Sequence, residues 1–148
     1  MTCKLSHRLS VAIFDSDLIA TRLLLGFAEF LWAVMLFWPG ETFNRPTYNL
    51  MAAVAPETVW ACAFGLTSYF QLHIVLNSKQ HTLSAHYFAL WNTLIWAYVV
   101  CSMLLSVYPP PAAIAGEISL MLAATWVFVR PIILQHYYRL AYEHGRQH

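Results

Sequence analysis

The side chains with the greatest chemical potential in this chain lie inside its most apolar stretches. Arg22 and Glu29 interrupt "DLIATRLLLGFAEFLWAVMLFWPG", Asp17 to Gly40, and stand seven residues apart. On a helix that spacing sets them on nearly one face, about 10 Å apart along the axis. Arg22 is near enough to the end of the stretch for its long side chain to reach polar surroundings, whereas Glu29 is not. A charge at mid-bilayer costs roughly 2.5 to 3.5 kcal/mol on insertion scales. Glu29 is therefore expected to face other helices and there either find a partner or take up a proton. Gln71, His73, Asn92 and Arg130 occupy later apolar stretches at depths comparable to that of Arg22. Together they form an intramembrane polar layer drawn from four helices, with Glu29 lying deeper. Such a layer can relay protons or ions, or anchor a ligand. It can also clasp the helices, since interhelical hydrogen bonds contribute about 0.6 to 2 kcal/mol each. The clasp is the favoured reading.

A second group, the outer acidic residues Glu57 and Glu117, falls in the first turns of two apolar stretches, where a carboxylate favours the positive helix end. Their expected role is structural, with an outward-facing cation-binding pair as the alternative. Cys62 and Cys101 sit at similar depths, so a bridge between neighbouring helices is conceivable, but packing as free thiols is the simpler expectation. Cys3 stands alone, and no C-x-x-C spacing is present. Of the seven His residues, His7, His81, His86, His136, His144 and His148 fall in loops, tails or interfacial positions. No H-E-x-x-H, G-x-S-x-G or phosphate-binding loop occurs. The sequence thus nominates no catalytic residue, no metal ligand set and no cofactor, and the expectation is a protein that is not an enzyme.

The elements that must position these groups follow from composition. The chain is 59% hydrophobic and only 10% charged, against about 25% charged residues in soluble domains. Its apolar residues gather in four blocks of about 20 residues, each long enough to cross a hydrocarbon core of about 30 Å. The predicted helices are approximately residues 18–38, 56–76, 87–107 and 112–134. A secretory signal peptide is a poor reading of the first block, because its apolar core is too long and no small-x-small cleavage site follows. The fold class expected is all-α, an integral membrane four-helix bundle forming a single transmembrane domain over residues 1–148. Short connections make consecutive helices antiparallel neighbours. Small-x-x-x-small pairs, Ala61/Gly65, Ser102/Ser106 and Ala112/Gly116, would let their backbones approach closely.

Orientation follows from Lys and Arg, which short cytoplasmic loops retain. Lys4, Arg8, Lys79, Arg139 and Arg146 fall on one side and Arg45 alone on the other. Both the N and C termini are therefore expected in the cytoplasm. In the outer loop, Pro46 suits the first turn of a short interfacial helix over about Thr47 to Val54. Beyond Pro131 the segment Ile132 to Glu143 keeps helical propensity while gaining His136, Tyr137, Tyr138, Arg139 and Tyr142. It reads as a cytoplasmic extension of the last helix at the headgroup layer. Trp32, Trp38, Trp60 and Tyr108 would form an outer aromatic belt, with Tyr87 and Trp91 towards the inner one. A net charge of +1 gives no footprint for nucleic acid.

Across "RPTYNLMAAVAPETVWACAFGLTSYFQL", Arg45 to Leu72, the chain resembles uncharacterised small membrane proteins encoded by tailed phages and prophages. The similar elements are the aromatic-containing outer segment, the Ala-Pro-Glu entry to the second helix, its Trp60, and Phe70-Gln71 near its inner end. The resemblance covers about a fifth of the chain and implies a bacterial inner (cytoplasmic) membrane setting. The expected function is that of a non-enzymatic polytopic accessory protein acting through contacts with other membrane proteins. A holin-like or channel-like oligomer passing solute or protons, or a small transporter, are the competing classes. The expected partners are the lipid bilayer and a membrane protein or further copies of the chain. If the orientation is right, reporters fused after Phe43 or Tyr108 will read as periplasmic and those after Gln80 or His148 as cytoplasmic. A periplasmic signal at His148 would overturn the four-span topology.

Overall fold

The computed structural model describes the backbone of residues 2–38, 42–77 and 82–145 and the side chains of residues 16–38, 42–77 and 82–137. The side chains of Cys3, Lys4, His7, Arg8, Lys79, His81, Tyr138, Arg139, Tyr142, His144, Arg146 and His148 lie outside the described residues. The described elements are all helical: α1 (Thr2–Phe37), α2 (Asn49–Val54), α3 (Glu57–Leu76), α4 (Leu83–Ser106) and α5 (Ile114–Gly145). Four segments are long and apolar enough to cross a membrane: Ser16–Phe37, Glu57–Leu76, Leu83–Ser106 and Ile114–Tyr137. The chain is thus a multi-pass membrane protein built as an all-α four-helix bundle. One end of the bundle carries Asp17, Leu76 and Leu83, and the other carries Phe37, Glu57 and Ser106.

Local chemistry sets the boundaries. The outer segment is two 3₁₀ turns, Thr42–Asn44 and Pro46–Tyr48, followed by α2. The interfacial helix therefore starts as a 3₁₀ turn, with Pro46 in its first turn, and becomes α-helical only at Asn49. Pro56, in extended conformation, ends this segment and caps α3. α4 begins four residues earlier than its apolar run implies. Thr82 accepts a hydrogen bond from the Ala85 N–H at 3.3 Å and so supplies the N-cap. α5 begins later than expected, because Pro111 to Ala113 form a turn closed by Ile114 N–H to Pro111 O at 3.0 Å. It then runs past Pro131 to Gly145, and α1 likewise extends well beyond the apolar block towards Thr2.

Packing is less even than short connections suggest. Backbones approach closely between α1 and α3 and between α4 and α5, whereas α3 and α4, though consecutive, make little backbone contact. The α1–α3 seam is built on small residues. A Cβ on Gly26 would lie 3.2 Å from Gln71 Cβ, and one on Gly65 would lie 3.8 Å from Ala33 Cβ. Ser68 Oγ donates across this seam to the Gly26 carbonyl at 2.7 Å. Between α3 and α4, rings take the place of backbone approach. Phe64 meets Trp96 at 5.5 Å, Trp60 stacks on Tyr98 at 5.4 Å, and Phe70 meets Phe88 at 5.5 Å between centroids.

This arrangement corrects the aromatic belt. Trp32 is only 8% exposed and forms a buried triad with Phe64 at 5.3 Å and Trp96 at 6.1 Å. Trp60 is half-buried and donates its indole N–H to the Met51 carbonyl at 3.1 Å, tying α3 to α2. Trp38 and Tyr108 are exposed, as are Tyr87 and Trp91. Among the described residues the Ala112/Gly116 pair also finds no close packing: both residues are exposed, and a Cβ on Gly116 would meet nothing within 4 Å. Most membrane hydroxyls are spent on their own helix. Thr67, Thr93, Ser106, Ser119 and Thr125 each donate to the carbonyl four residues back. Gly26→Leu should therefore overpack the α1–α3 seam and cost about 1–3 kcal/mol, whereas Gly116→Leu should leave the isolated protein unchanged. Thermal unfolding in detergent checks the pair.

Candidate functional site: a buried polar core

Three helices bring polar side chains into one interior. At the level nearer the Asp17 end, Arg22 is 1% exposed. Its Nη1 donates to Gln71 Oε1 at 3.0 Å and its Nη2 to the Ala85 carbonyl at 3.5 Å, which links α1 to α3 and to the first turn of α4. Two turns further along α1, Glu29 is fully buried. Its Oε1 accepts from the Trp96 indole N–H at 3.3 Å. Asn92, one turn before Trp96 on α4, faces the same carboxyl group, but neither of its amide atoms completes a hydrogen bond within the protein. Between the two levels lies the close approach of Gly26 to Ser68 and Gln71. A Cβ at position 26 would lie tightly against Gln71, which would have to give by a few tenths of an ångström.

Of the six residues expected in one layer, Arg22, Glu29, Gln71 and Asn92 therefore share the interior. Arg130 is buried on α5, where its guanidinium approaches Asp17 Oδ2 at 3.8 Å and lies 5.9 Å from the Trp126 ring centroid. Its ion pair is with Asp17, an exposed residue within α1 where the first apolar span begins. The expected grouping fails for His73. It is half-buried, its ring neighbours Tyr69 at 6.1 Å, and two residues of helical rotation turn it away from the face that carries Gln71. Sequence reasoning missed Trp96 and Asp17. Trp96 had a signal, since a buried indole N–H needs an acceptor and Asn92 marks its helix face. Asp17 had one in its position, more than one turn outside Arg22 at the mouth of the first span.

Glu57 and Glu117 do separate work at the other end. Glu57 Oε1 accepts from the Thr42 backbone N–H at 3.0 Å, fastening the outer segment to the start of α3. The Glu117 carboxyl group lies against the Trp32 indole, with Oε2 buried and unpartnered. Tyr48 packs edge-on to Trp32 at 6.1 Å. Burial, reinforced by the Glu117 charge and opposed by Arg45, pushes the Tyr48 hydroxyl above its ordinary value. Among the described residues no group of three or more His, Cys, Asp or Glu side chains could hold a metal ion. Cys62 and Cys101 are exposed and unbridged, so the conceivable inter-helix disulfide is not formed.

Chemically, the interior can satisfy charge inside a low-dielectric layer. Among the described residues it places no nucleophile beside a base, and the Glu29 carboxyl group accepts from the Trp96 indole and faces the Asn92 amide. No protein family, curated protein or solved structure matches the chain. Replacing Glu29 should separate the contribution of its hydrogen bonds from that of its charge. Glu29→Gln keeps an acceptor for Trp96, whereas Glu29→Leu strands the indole N–H at a cost of about 1–3 kcal/mol. Glu29→Leu should therefore unfold at a lower temperature than Glu29→Gln. Equal stabilities would show that the Trp96 bond contributes nothing.

Proposed function

We propose that this is a non-enzymatic accessory protein of a bacterial inner membrane, phage- or prophage-related, that acts by docking another membrane protein's helix against α5. The observation that carries this reading is the poor cover of α5. Only 17% of its spanning window is buried, against 33–44% for the other three helices. The exposed face combines Ala115, Gly116 and Ser119 with Leu122 and Trp126 further along. Small residues permit close helix approach and the larger ones supply packing area, which is the composition of an intramembrane helix contact. A solitary span would gain little from keeping Gly116, since that residue costs helix propensity of about 1 kcal/mol.

The interior supports the same reading against a conduction path. A pore needs continuous polar lining, but the polar levels of Arg22 and Glu29 are followed by the Trp32, Phe64 and Trp96 rings and then by Leu36, Ala61 and Met103, all buried. The polar core thus acts as the clasp that holds α1, α3 and α4 while α5 presents its outer face.

A photo-crosslinking residue at Ser119, expressed in bacteria, should give one defined adduct with another membrane protein. Gly116→Leu should abolish the adduct while leaving the membrane potential and the protein's abundance unchanged. Adducts only between copies of the chain, persisting in purified protein, would replace the proposed partner with a homo-oligomer. Rapid depolarisation on expression would replace the docking function with a channel.

A further inference from the structure

The interior holds polar atoms that the protein itself does not satisfy. Arg22 Nε, Gln71 Nε2, both amide atoms of Asn92 and Glu29 Oε2 are buried without a hydrogen-bond partner, on residues that are at most 1% exposed. These side chains come from α1, α3 and α4, and their satisfied atoms already join them into two levels about 10 Å apart along α1. Donors dominate at the Arg22 level, an acceptor stands at the Glu29 level, and Asn92 can do both. A bound cation would meet Arg22 and a bound anion would meet Glu29, so neither suits the whole column. Water fits every member, because each molecule both donates and accepts and makes about three hydrogen bonds to buried groups.

The surroundings are asymmetric. Towards the Asp17 end, Arg22 reaches the first turn of α4, where Thr82 and Ser84 are exposed and bonded to each other at 3.0 Å. Towards the other end, Glu29 is followed by the buried Trp32, Phe64 and Trp96 rings, which contact one another at 5.3–6.1 Å. We infer that Arg22, Gln71, Asn92 and Glu29 enclose a short chain of ordered water that makes Glu29 a proton-exchange site with access from the Asp17 end alone. Spanning the two levels takes on the order of three water molecules at ordinary hydrogen-bond separation.

Among the described residues, the titratable and charged groups of the helices packed against α1 have neighbours outside the column. On α3, His73 lies beside Tyr69. On α4, His86 packs on Phe128 and Tyr98 on Trp60. On α5, Glu117 lies against Trp32 and Arg130 approaches Asp17. Tyr48, from the outer segment, reaches Trp32 from the far side of the rings. Among the described residues Arg22 on α1 is the one cation built into the column, and it lies between Glu29 and the Asp17 end. The proton moves from water to the carboxylate and returns by the same route, with no net transfer across the membrane. This inference goes beyond the docking reading and stands whatever partner α5 takes.

The test uses the full chain in lipid nanodiscs. Infrared difference spectra between acid and alkaline buffer should contain a protonated-carboxyl band that shifts on transfer to heavy water and is lost in Glu29→Gln. Asn92→Leu should keep the band but slow its deuteration. In vesicles oriented through an amino-terminal tag, Trp96 fluorescence should respond to a pH jump on the Asp17 side and not to one on the opposite side. Should Glu29→Gln fail to fold, Trp96→Phe keeps the inference exposed, since it must lose the fluorescence response while retaining the infrared band. A wild-type spectrum without a pH-dependent carboxyl band, or with one that resists deuteration, would overturn the water chain. A fluorescence response from the opposite side would overturn the one-sided access.

Discussion

A carboxyl group in the middle of an apolar span has to be solvated by protein, and the arrangement of this bundle follows from that constraint. Glu29 cannot reach either headgroup layer, so its helix face must turn inward. Turning that face inward brings Arg22 and Gly26 with it, because the three share one stripe of α1. Gly26 then admits α3 close enough for Gln71 to meet Arg22, and Ser68 closes the contact with a bond to the Gly26 carbonyl. The opposite face of α1 is left to Leu24, Phe27, Phe30 and Val34, all exposed and suited to acyl chains. The outer face is thus apolar, and the few polar groups are enclosed within a core that is otherwise apolar and aromatic.

The same constraint explains why rings occupy the centre. α4 must stand far enough from α1 and α3 to accommodate a carboxyl group, an amide and a guanidinium between them. Two helices held apart at that distance lose backbone packing, and large flat side chains restore it. Trp96 does so twice over. Its ring contacts Trp32 and Phe64, and its N–H meets Glu29. Aromatic pairs add about 0.5–1.5 kcal/mol beyond their buried area, comparable to an interhelical hydrogen bond. The polar and aromatic parts of the core are therefore one device with a shared residue.

Much of this architecture was legible in the sequence, and the unevenness of what was legible has physical causes. The four spans could be read because hydrocarbon thickness sets a minimum length for an apolar run. That Glu29 faces inward could be read from the cost of the alternative. The start of α4 at Leu83 could not be read from apolarity, because its first turn, Leu83 to His86, is amphipathic and is declared only by the capping Thr82. Trp32 looked like a belt residue because its depth along α1 is that of an interface, but its rotation about the axis, seven plus three residues from Arg22, places it inside. His73 was misplaced for the same reason: depth is written in residue count, whereas facing depends on which neighbour arrives at each angle. The Ala112/Gly116 spacing predicted a close contact, and among the described residues no helix fills it at Gly116.

The pairing of α1 with α3 and of α4 with α5 bears on how such a protein is made. Each closely packed pair is formed by spans that leave the ribosome in succession, so each hairpin can close soon after its second member enters the bilayer. Joining the two hairpins is a separate event, and it is the event that buries Glu29 against Trp96. Until α4 arrives, the first hairpin holds a carboxyl group whose eventual indole partner has not yet been synthesised. Newly inserted chains halted at that stage would carry an incompletely shielded acidic group in lipid, a mark by which membrane quality control could tell an unfinished molecule from a finished one.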